Sequence, residues 1–232
     1  MTTQAIPLPH SPTFTPARRI NRSLTAAAEK RILIWLAEHA PAWVTSDQLT
    51  LLGLAAQIAA GIFYAVSRTQ RLALLLVILC IALNWLGDSL DGTLARVRSQ
   101  QRPRYGFYVD HMVDLFGSIA LMIGLGYSGF AHWPVAIALL LAFLVLAGES
   151  FLATYTLGCF QLSQGLFGPT EIRIGLILGN LALLHSPYAH IFGHRLLLFD
   201  VGGAIGAAVM FVMAIAITLR HTADLYQQEP LA

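Results

Sequence analysis

Between Asp88 and Asp114 the chain reads DSLDGTLARVRSQQRPRYGFYVDHMVD, and four of its carboxylates fall in two spaced pairs. Asp88 and Asp91 are three residues apart and Asp110 and Asp114 four apart, spacings that put both members of a pair on one helix face. Four carboxylates brought together repel one another and resist ionisation, and divalent cations are the simplest remedy. Their oxygens suit hard ions such as Mg²⁺, Mn²⁺ or Ca²⁺. Two such ions ~3.5–4 Å apart would clamp phosphoryl oxygens and stabilise both the attacking and the leaving group. Gly92 and Ala95 leave space beside the first pair, Gly106 opens the helix start before the second, and Arg96 extends a fork of donors suited to phosphate. Small residues, acids and a guanidinium together describe a pyrophosphate pocket. The acids alone also admit a cation-coupled membrane transporter or a non-catalytic lipid-binding protein, but a cation pathway has no use for Gly92, Ala95 and Arg96. No CxxC or HExxH pattern points to zinc.

The elements that must carry these residues are apolar. Of 232 residues 56% are hydrophobic and only 11% charged, with a mean hydropathy of +0.67. Soluble domains carry about 25% charge, so the chain is an integral membrane protein whose size leaves no room for a separate catalytic domain. Six runs approach the ~20 residues a bilayer requires, at about 49–66, 72–88, 106–127, 135–157, 172–184 and 196–219, the fifth being the shortest. The expected fold is all-α: a polytopic membrane protein with six transmembrane helices and an N-terminal interfacial amphipathic helix. Its parts are a disordered lead over 1–17, the interfacial helix over 18–40, a six-helix catalytic domain over 45–221 and a polar tail over 222–232. The interfacial helix interleaves Arg18, Arg19, Arg22, Lys30 and Arg31 with Ile20, Leu24, Leu33, Ile34 and Trp35. Pro41 breaks it, and Thr45, Ser46 or Asp47 caps the next.

Six spans put both termini on one side. Only Arg68, Arg71 and Arg195 then face the other, leaving eleven of the fourteen Lys and Arg residues with the termini and the acid pairs. By the positive-inside rule that side is the cytoplasm, and the expected location is the cell inner membrane. The formal charge of +2 is topogenic rather than a sign of nucleic-acid binding, and Cys80 and Cys159 read as small buried side chains.

Outside the acid pairs, Glu149 lies within the fourth span and needs a partner or a polar cavity, so it is a candidate for an acceptor or lipid pocket. Glu171 and Arg173 follow Gly168 and Pro169 at a similar depth and are candidates for recognising a zwitterionic or phosphorylated alcohol. His111, between Asp110 and Asp114, belongs either to that site or to helix packing. Asn84, Ser89 and Tyr108 are placed to touch substrate or to hydrogen-bond within the core, and Arg98, Arg102 and Arg104 to draw in acidic groups or simply to set topology. His185, His190 and His194 fall across the membrane from the acids and read as surface residues; Asp200, near them, is expected to be satisfied by water or Arg195.

Asp88, Asp91, Gly92, Ala95, Arg96, Gly106, Asp110 and Asp114 together spell DxxDGxxAR, a nine-residue gap, then GxxxDxxxD. In all eight positions the chain resembles the CDP-alcohol phosphatidyltransferases. The resemblance implies six spans, an interfacial N-terminal helix, a homodimer, and transfer of a substituted phosphoryl group from a CDP-linked donor to an alcohol with release of CMP. It implies Mg²⁺ or Mn²⁺, two ions, held by Asp88, Asp91, Asp110 and Asp114, with Asp114 also the general base. Asp88, Asp91, Gly92, Ala95, Arg96 and Gly106 would accommodate the nucleotide and its phosphates. The lipid substrate would enter laterally and the soluble one from the cytoplasm. A compact chain points to CDP-diacylglycerol as donor, whereas His111 beside Asp110 resembles the choline and ethanolamine phosphotransferases, whose acceptor is diacylglycerol.

Overall fold

The computed structural model describes residues 18–20, 25–161 and 168–229, and the expected lead over 1–17 lies outside them, as do Arg22 and Leu24. Strand β1 (Arg18–Ile20) comes first, then helix α1 (Ala26–His39). The interfacial helix expected from residue 18 therefore starts later. Backbone at 18–20 pairs in parallel with β2 (Cys159–Gln161), and an extended segment bonded to another strand cannot also be helical.

The long helices follow: α2 (Ser46–Ser67), α3 (Ala73–Val97), α4 (Pro103–Ser128) and α5 (Trp133–Thr156). After β2 come α6 (Pro169–His185), a hairpin of β3 (Tyr188–Ile191) and β4 (His194–Leu197), and α7 (Leu198–Gln228). Thr45 caps α2: its hydroxyl accepts from Gln48 N at 3.3 Å while the Gln48 side chain accepts from Thr45 N at 2.9 Å. Pro103 opens α4, where a missing N–H costs nothing, and Gly129 ends it at φ 78°. The polar tail expected from residue 222 is helical through Gln228, since no Gly or Pro interrupts α7 between Ala207 and Glu229.

Among the described residues five helices, α2, α3, α4, α5 and α7, are long and apolar enough to cross a membrane, against the six expected. Helix α6 falls short because Pro169 starts it and Pro187 follows it, leaving 17 residues. At 1.5 Å per residue this is ~25 Å, and the helix still connects the two ends of the bundle. Near its start Thr170 hydrogen-bonds Glu29 of α1, while at its far end Leu183 O accepts from Arg71 Nε, in the α2–α3 turn, at 2.8 Å. The run expected to begin at 196 instead begins helically at Leu198, because Leu196 and Leu197 pair with Ala189 and Tyr188 in the hairpin. Its turn residues Phe192 and Gly193 both take positive φ, 48° and 80°, as a two-residue hairpin turn requires. Asp200 accepts from the backbone N–H of His132 at 2.7 Å and from the His132 ring.

Helix α2 is the strut of the molecule. Leu49, Gly53, Ala56, Ala60, Gly61 and Tyr64 form one buried stripe along it, and α3 and α4 pack on α2 far more than on each other. Glycines set the approach. A Cβ on Gly124 of α4 would meet Gly61 O at 2.0 Å, and one on Gly87 of α3 would meet Leu49 O at 2.5 Å. Toward the far end Ala60, Tyr64, Leu74, Val77, Ile81, Leu121, Leu125 and Leu183 close the core. At the end bearing the acids a smaller cluster of Leu33, Ala37, Leu49, Leu90 and Leu94 seats α1.

The α2–α4 crossing predicts a specific lesion. Gly124→Val should destabilise the protein by ~3 kcal/mol or more, because the clashing neighbour is backbone and cannot rotate aside. Thermal unfolding in detergent measures the loss, and a melting temperature equal to wild type would show that the helices do not touch there.

Candidate active site

Asp88 and Asp91 lie on the last turns of α3, and Asp110 and Asp114 on the first half of α4. Because both helices lean on α2, side chains from each project toward one gap. Asp88, Asp110 and Asp114 meet there, each half-buried, with one ligand atom apiece all within 4.8 Å of one another. The fourth expected member, Asp91, is not in this group. Its carboxylate faces α2, where Thr50 Oγ1 donates to Oδ2 at 2.5 Å and Gly92 N donates to Oδ1; Ser46 Oγ bonds its carbonyl at 3.0 Å. The three-residue spacing turns Asp91 about 60° away from Asp88 around the helix, enough to bring it against α2.

Asp88 and Asp110 line a cavity of about 1460 Å³, as does Asp91, while Asp114 is not among its lining residues. Its lining draws on α1 (Ala26, Glu29, Lys30, Leu33), on the acid-bearing turns of α3 and α4, and on Phe151, Thr154 and Tyr155 of α5. Gly92, Ala95, Arg96 and Gly106 all line it. The two glycines here differ from those of the crossings. A Cβ on Gly106 would meet nothing within 4 Å, and one on Gly92 would meet only Arg96 Nη1, at 3.4 Å. Packing within the chain does not demand glycine at either place, so the room they leave belongs to the cavity. Arg96 Nη2 donates to Thr93 Oγ1 at 2.9 Å, which holds the guanidinium on the cavity side of α3.

Arg173, from α6, completes the acid end. Its Nη2 donates to Asp88 Oδ2 at 2.6 Å, its Nε donates to Asn84 Oδ1 at 2.9 Å, and it lies within electrostatic reach of Asp114. Asn84 in turn donates to Gly53 O at 3.1 Å, so the arginine is braced from α2 through α3. Arg173 Nη1 is buried with no hydrogen-bond partner among the described residues. A buried donor left unmade costs ~1–3 kcal/mol, which makes this atom a natural contact for a substrate oxygen.

Three other candidates are placed elsewhere. Glu149 accepts from His221 Nδ1 at 2.5 Å across α5 and α7, and neither lines the acid cavity; a carboxylate inside a span has found a partner instead of a pocket. Glu171 accepts from Thr25 N at 2.9 Å, Thr25 Oγ1 at 2.8 Å and Gly168 N at 2.8 Å, which commits both of its oxygens to fastening α6 onto the start of α1. His111 is also outside the lining: its Nδ1 donates to Phe107 O at 2.6 Å, and its ring packs against Phe107, Phe151 and Phe160 at 4.2–5.1 Å. Arg98 donates to Val44 O, Ala40 O and Pro41 O at 2.5–3.0 Å, stapling the α1–α2 connection rather than awaiting a substrate. Arg102 pairs with Asp47 and lies 4.1 Å over the Tyr105 ring.

One residue that spacing could not mark is Glu29. Its Oε1 accepts from Trp85 Nε1 at 2.9 Å, Ser89 Oγ at 3.0 Å and Thr170 Oγ1 at 2.8 Å, tying α1 to α3 and α6. Burying a leucine contributes ~1.5–3 kcal/mol and a hydrogen bond to a charged group a similar ~1.5–3 kcal/mol. Helix α1 buries only Leu33 and Ala37, so these polar ties set its place at least as much as packing does.

The donor set is all oxygen, three-fold acidic, and set beside two arginines and open glycine faces. It fits a hard divalent cation with a phosphate-bearing ligand, and it fits no soft-metal site. No curated protein matches the chain significantly. The model of the family described as CDP-alcohol phosphatidyltransferase does match, over residues 43–220, a stretch that holds all eight signature positions and every long helix from α2 into α7. By that match over more than half of its length, the chain belongs to the CDP-alcohol phosphatidyltransferase family.

Proposed function

We propose that the protein transfers the phosphatidyl group of CDP-diacylglycerol to a polar alcohol in phospholipid synthesis, releasing CMP. Phosphotransfer from a CDP-linked donor to an alcohol follows from family membership. The observation that carries the site is the convergence of Asp88, Asp110 and Asp114, the first two of which line a cavity that two glycines leave open. The choice of donor is supported by His111: the residue that points toward a choline- or ethanolamine-type enzyme is packed among phenylalanines, with its Nδ1 committed to Phe107 O.

Asp88, Asp110 and Asp114, with Asp91 one turn away, would hold Mg²⁺ or Mn²⁺, two ions in the proposed complement. When bound, these cations neutralise pyrophosphate oxygens and stabilise the departing CMP. The chain's own groups do the rest. Arg96 donates to the phosphates, while Gly92, Ala95 and Gly106 leave room for the nucleotide. Asp114 takes the proton of the acceptor hydroxyl at a carboxylate oxygen as that hydroxyl's oxygen bonds to the donor's β-phosphorus. The bond from this phosphorus to the oxygen bridging to CMP breaks, and the electron pair leaves with CMP. Arg173 keeps Asp88 in place through Nη2 and offers Nη1 to an oxygen of the acceptor or of the transferred group. No Ser or Cys nucleophile is needed for this direct displacement.

The lipid would reach the cavity laterally past α5 and the soluble alcohol from the open end. The acid end carries Arg96, Arg98, Arg102 and Arg104 against Arg68, Arg71 and Arg195 at the other, which supports a cytoplasmic active site in the cell inner membrane. Helix α6, running from one end to the other, is then the sixth crossing, and both termini are cytoplasmic. A homodimer belongs to the same reading.

Three outcomes are expected. Purified protein given Mg²⁺ or Mn²⁺, CDP-diacylglycerol and the matching alcohol releases CMP, and chelation stops it reversibly; full turnover after exhaustive chelation would sink the metal assignment. Asp114→Asn lowers turnover about 100-fold or more, and unimpaired turnover would remove Asp114 from its role. Gly106→Ala should leave the melting temperature unchanged or raised, since alanine favours the helix by ~1 kcal/mol, yet weaken binding of the CDP donor. A crossed screen of CDP-diacylglycerol and diacylglycerol against inositol, inositol phosphate, glycerol phosphate, serine, choline and their CDP derivatives identifies the product. A product made only from diacylglycerol and a CDP-alcohol would overturn the donor assignment.

A further inference from the structure

Glu29 lies outside the stretch that the family model covers and outside the signature, yet it faces the active-site cavity. Its three donors are not scattered. Trp85 and Ser89 are four residues apart on α3 and bracket Asp88, and Thr170 stands three residues before Arg173 on α6. Glu29 is thus bonded on one side to the turn that presents Asp88 and on the other to the turn that presents Arg173, the two partners of the 2.6 Å ion pair. Glu171 answers in the opposite direction, accepting from Thr25 N and Oγ1, so the first turns of α1 and α6 exchange threonine-to-glutamate bonds both ways. Both acids sit in the first turn of their helices, where the helix dipole favours a negative charge.

We propose that Glu29 is a positioning residue for phosphotransfer, and that the α1–α6 clasp it forms sets the Asp88–Arg173 pair and makes α1 a working wall of the site. The activity part of this proposal rests on the phosphotransferase reading above; the clasp itself does not. A charge is required at this position. One carboxylate oxygen here takes three donors, whereas a glutamine would offer a weaker neutral oxygen and turn its NH₂ toward groups that are donors themselves. Aspartate keeps the charge but is one methylene shorter.

The test uses the full chain in nanodiscs, with ¹⁵N-labelled tryptophan and the indole resonance of Trp85 assigned by Trp85→Phe. Glu29→Gln should displace the Trp85 indole signal and lower kcat about 10- to 100-fold, the effect of a small misplacement of reacting groups. KM for the CDP donor should stay within about threefold, and the loss of kcat should persist when rates are normalised to folded protein. Glu29→Asp should recover part of the rate. Thr170→Val should reproduce part of the loss, and combined with Glu29→Gln it should add less than its separate effect, because both remove one bond. An unchanged Trp85 signal in Glu29→Gln, an unchanged kcat, or a loss of rate that only tracks the loss of folded protein would each overturn the proposal. A wild-type preparation that releases no CMP with any donor would overturn the phosphotransferase reading instead, and the Trp85 signal would still decide whether Glu29 organises this wall.

Discussion

Like charges held close together in a poorly solvated place need a rigid frame, and everything at the acid end depends on that constraint. Three carboxylates within 4.8 Å of one another push apart, and the more strongly for being half-buried. Helices α3 and α4 do not resist this push by packing on each other. They are held by α2, whose glycine contacts at Gly61 and Gly87 are backbone against backbone and leave no slack for the helices to slide. The separation of the acids is thus a property of a third helix that contributes none of them.

The frame also supplies counter-charge. Arg173 reaches Asp88 from α6, and Asn84 orients it, so that its guanidinium has a fixed direction. A buried pair of this kind repays its desolvation only with good geometry and further hydrogen bonds. Here the bonds to Asn84 and Asp88 supply those, and Nη1 is left over. Elsewhere the same rule produces pairs with no place in the cavity lining. Glu149 with His221 satisfies largely buried polar groups between α5 and α7, and Asp200 with the exposed His132 pins neighbouring elements together near the far end.

At the acid end the polar ties do more than satisfy local needs. Helix α1 has little buried apolar surface, and its exposed Ile32 and Trp35 suit a lipid interface better than a protein core. What fixes it over the cavity is the exchange of bonds with α3 and α6. The cavity therefore has a wall drawn from a segment that precedes the family's matched region, joined to the signature helices by hydrogen bonds as well as by the small seam of Leu33 and Ala37 against Leu49, Leu90 and Leu94.

The sequence by itself determined the class of molecule and the chemistry. Apolar runs of bilayer length gave the long helices, a cap at Thr45, Ser46 or Asp47 was visible as a local pattern, and the spacings of Asp88, Asp91, Asp110 and Asp114 marked one shared site, of which three acids converge. These are readable because they are periodic or local: a helix face and a cap are each defined within a few residues. Only the tertiary structure decided which polar side chain meets which. Glu29 and Thr170 are 141 residues apart, Thr25 and Glu171 146, and Glu149 and His221 72. No spacing rule links residues at such separations, so Glu149 and Glu171 read as pocket candidates and turned out to be fastened, while Glu29 gave no sign. Asp91 shows the same limit within a single motif. Its place in the signature is legible, but whether its carboxylate turns to the cluster or to Thr50 was settled by which face of α3 the strut α2 covers.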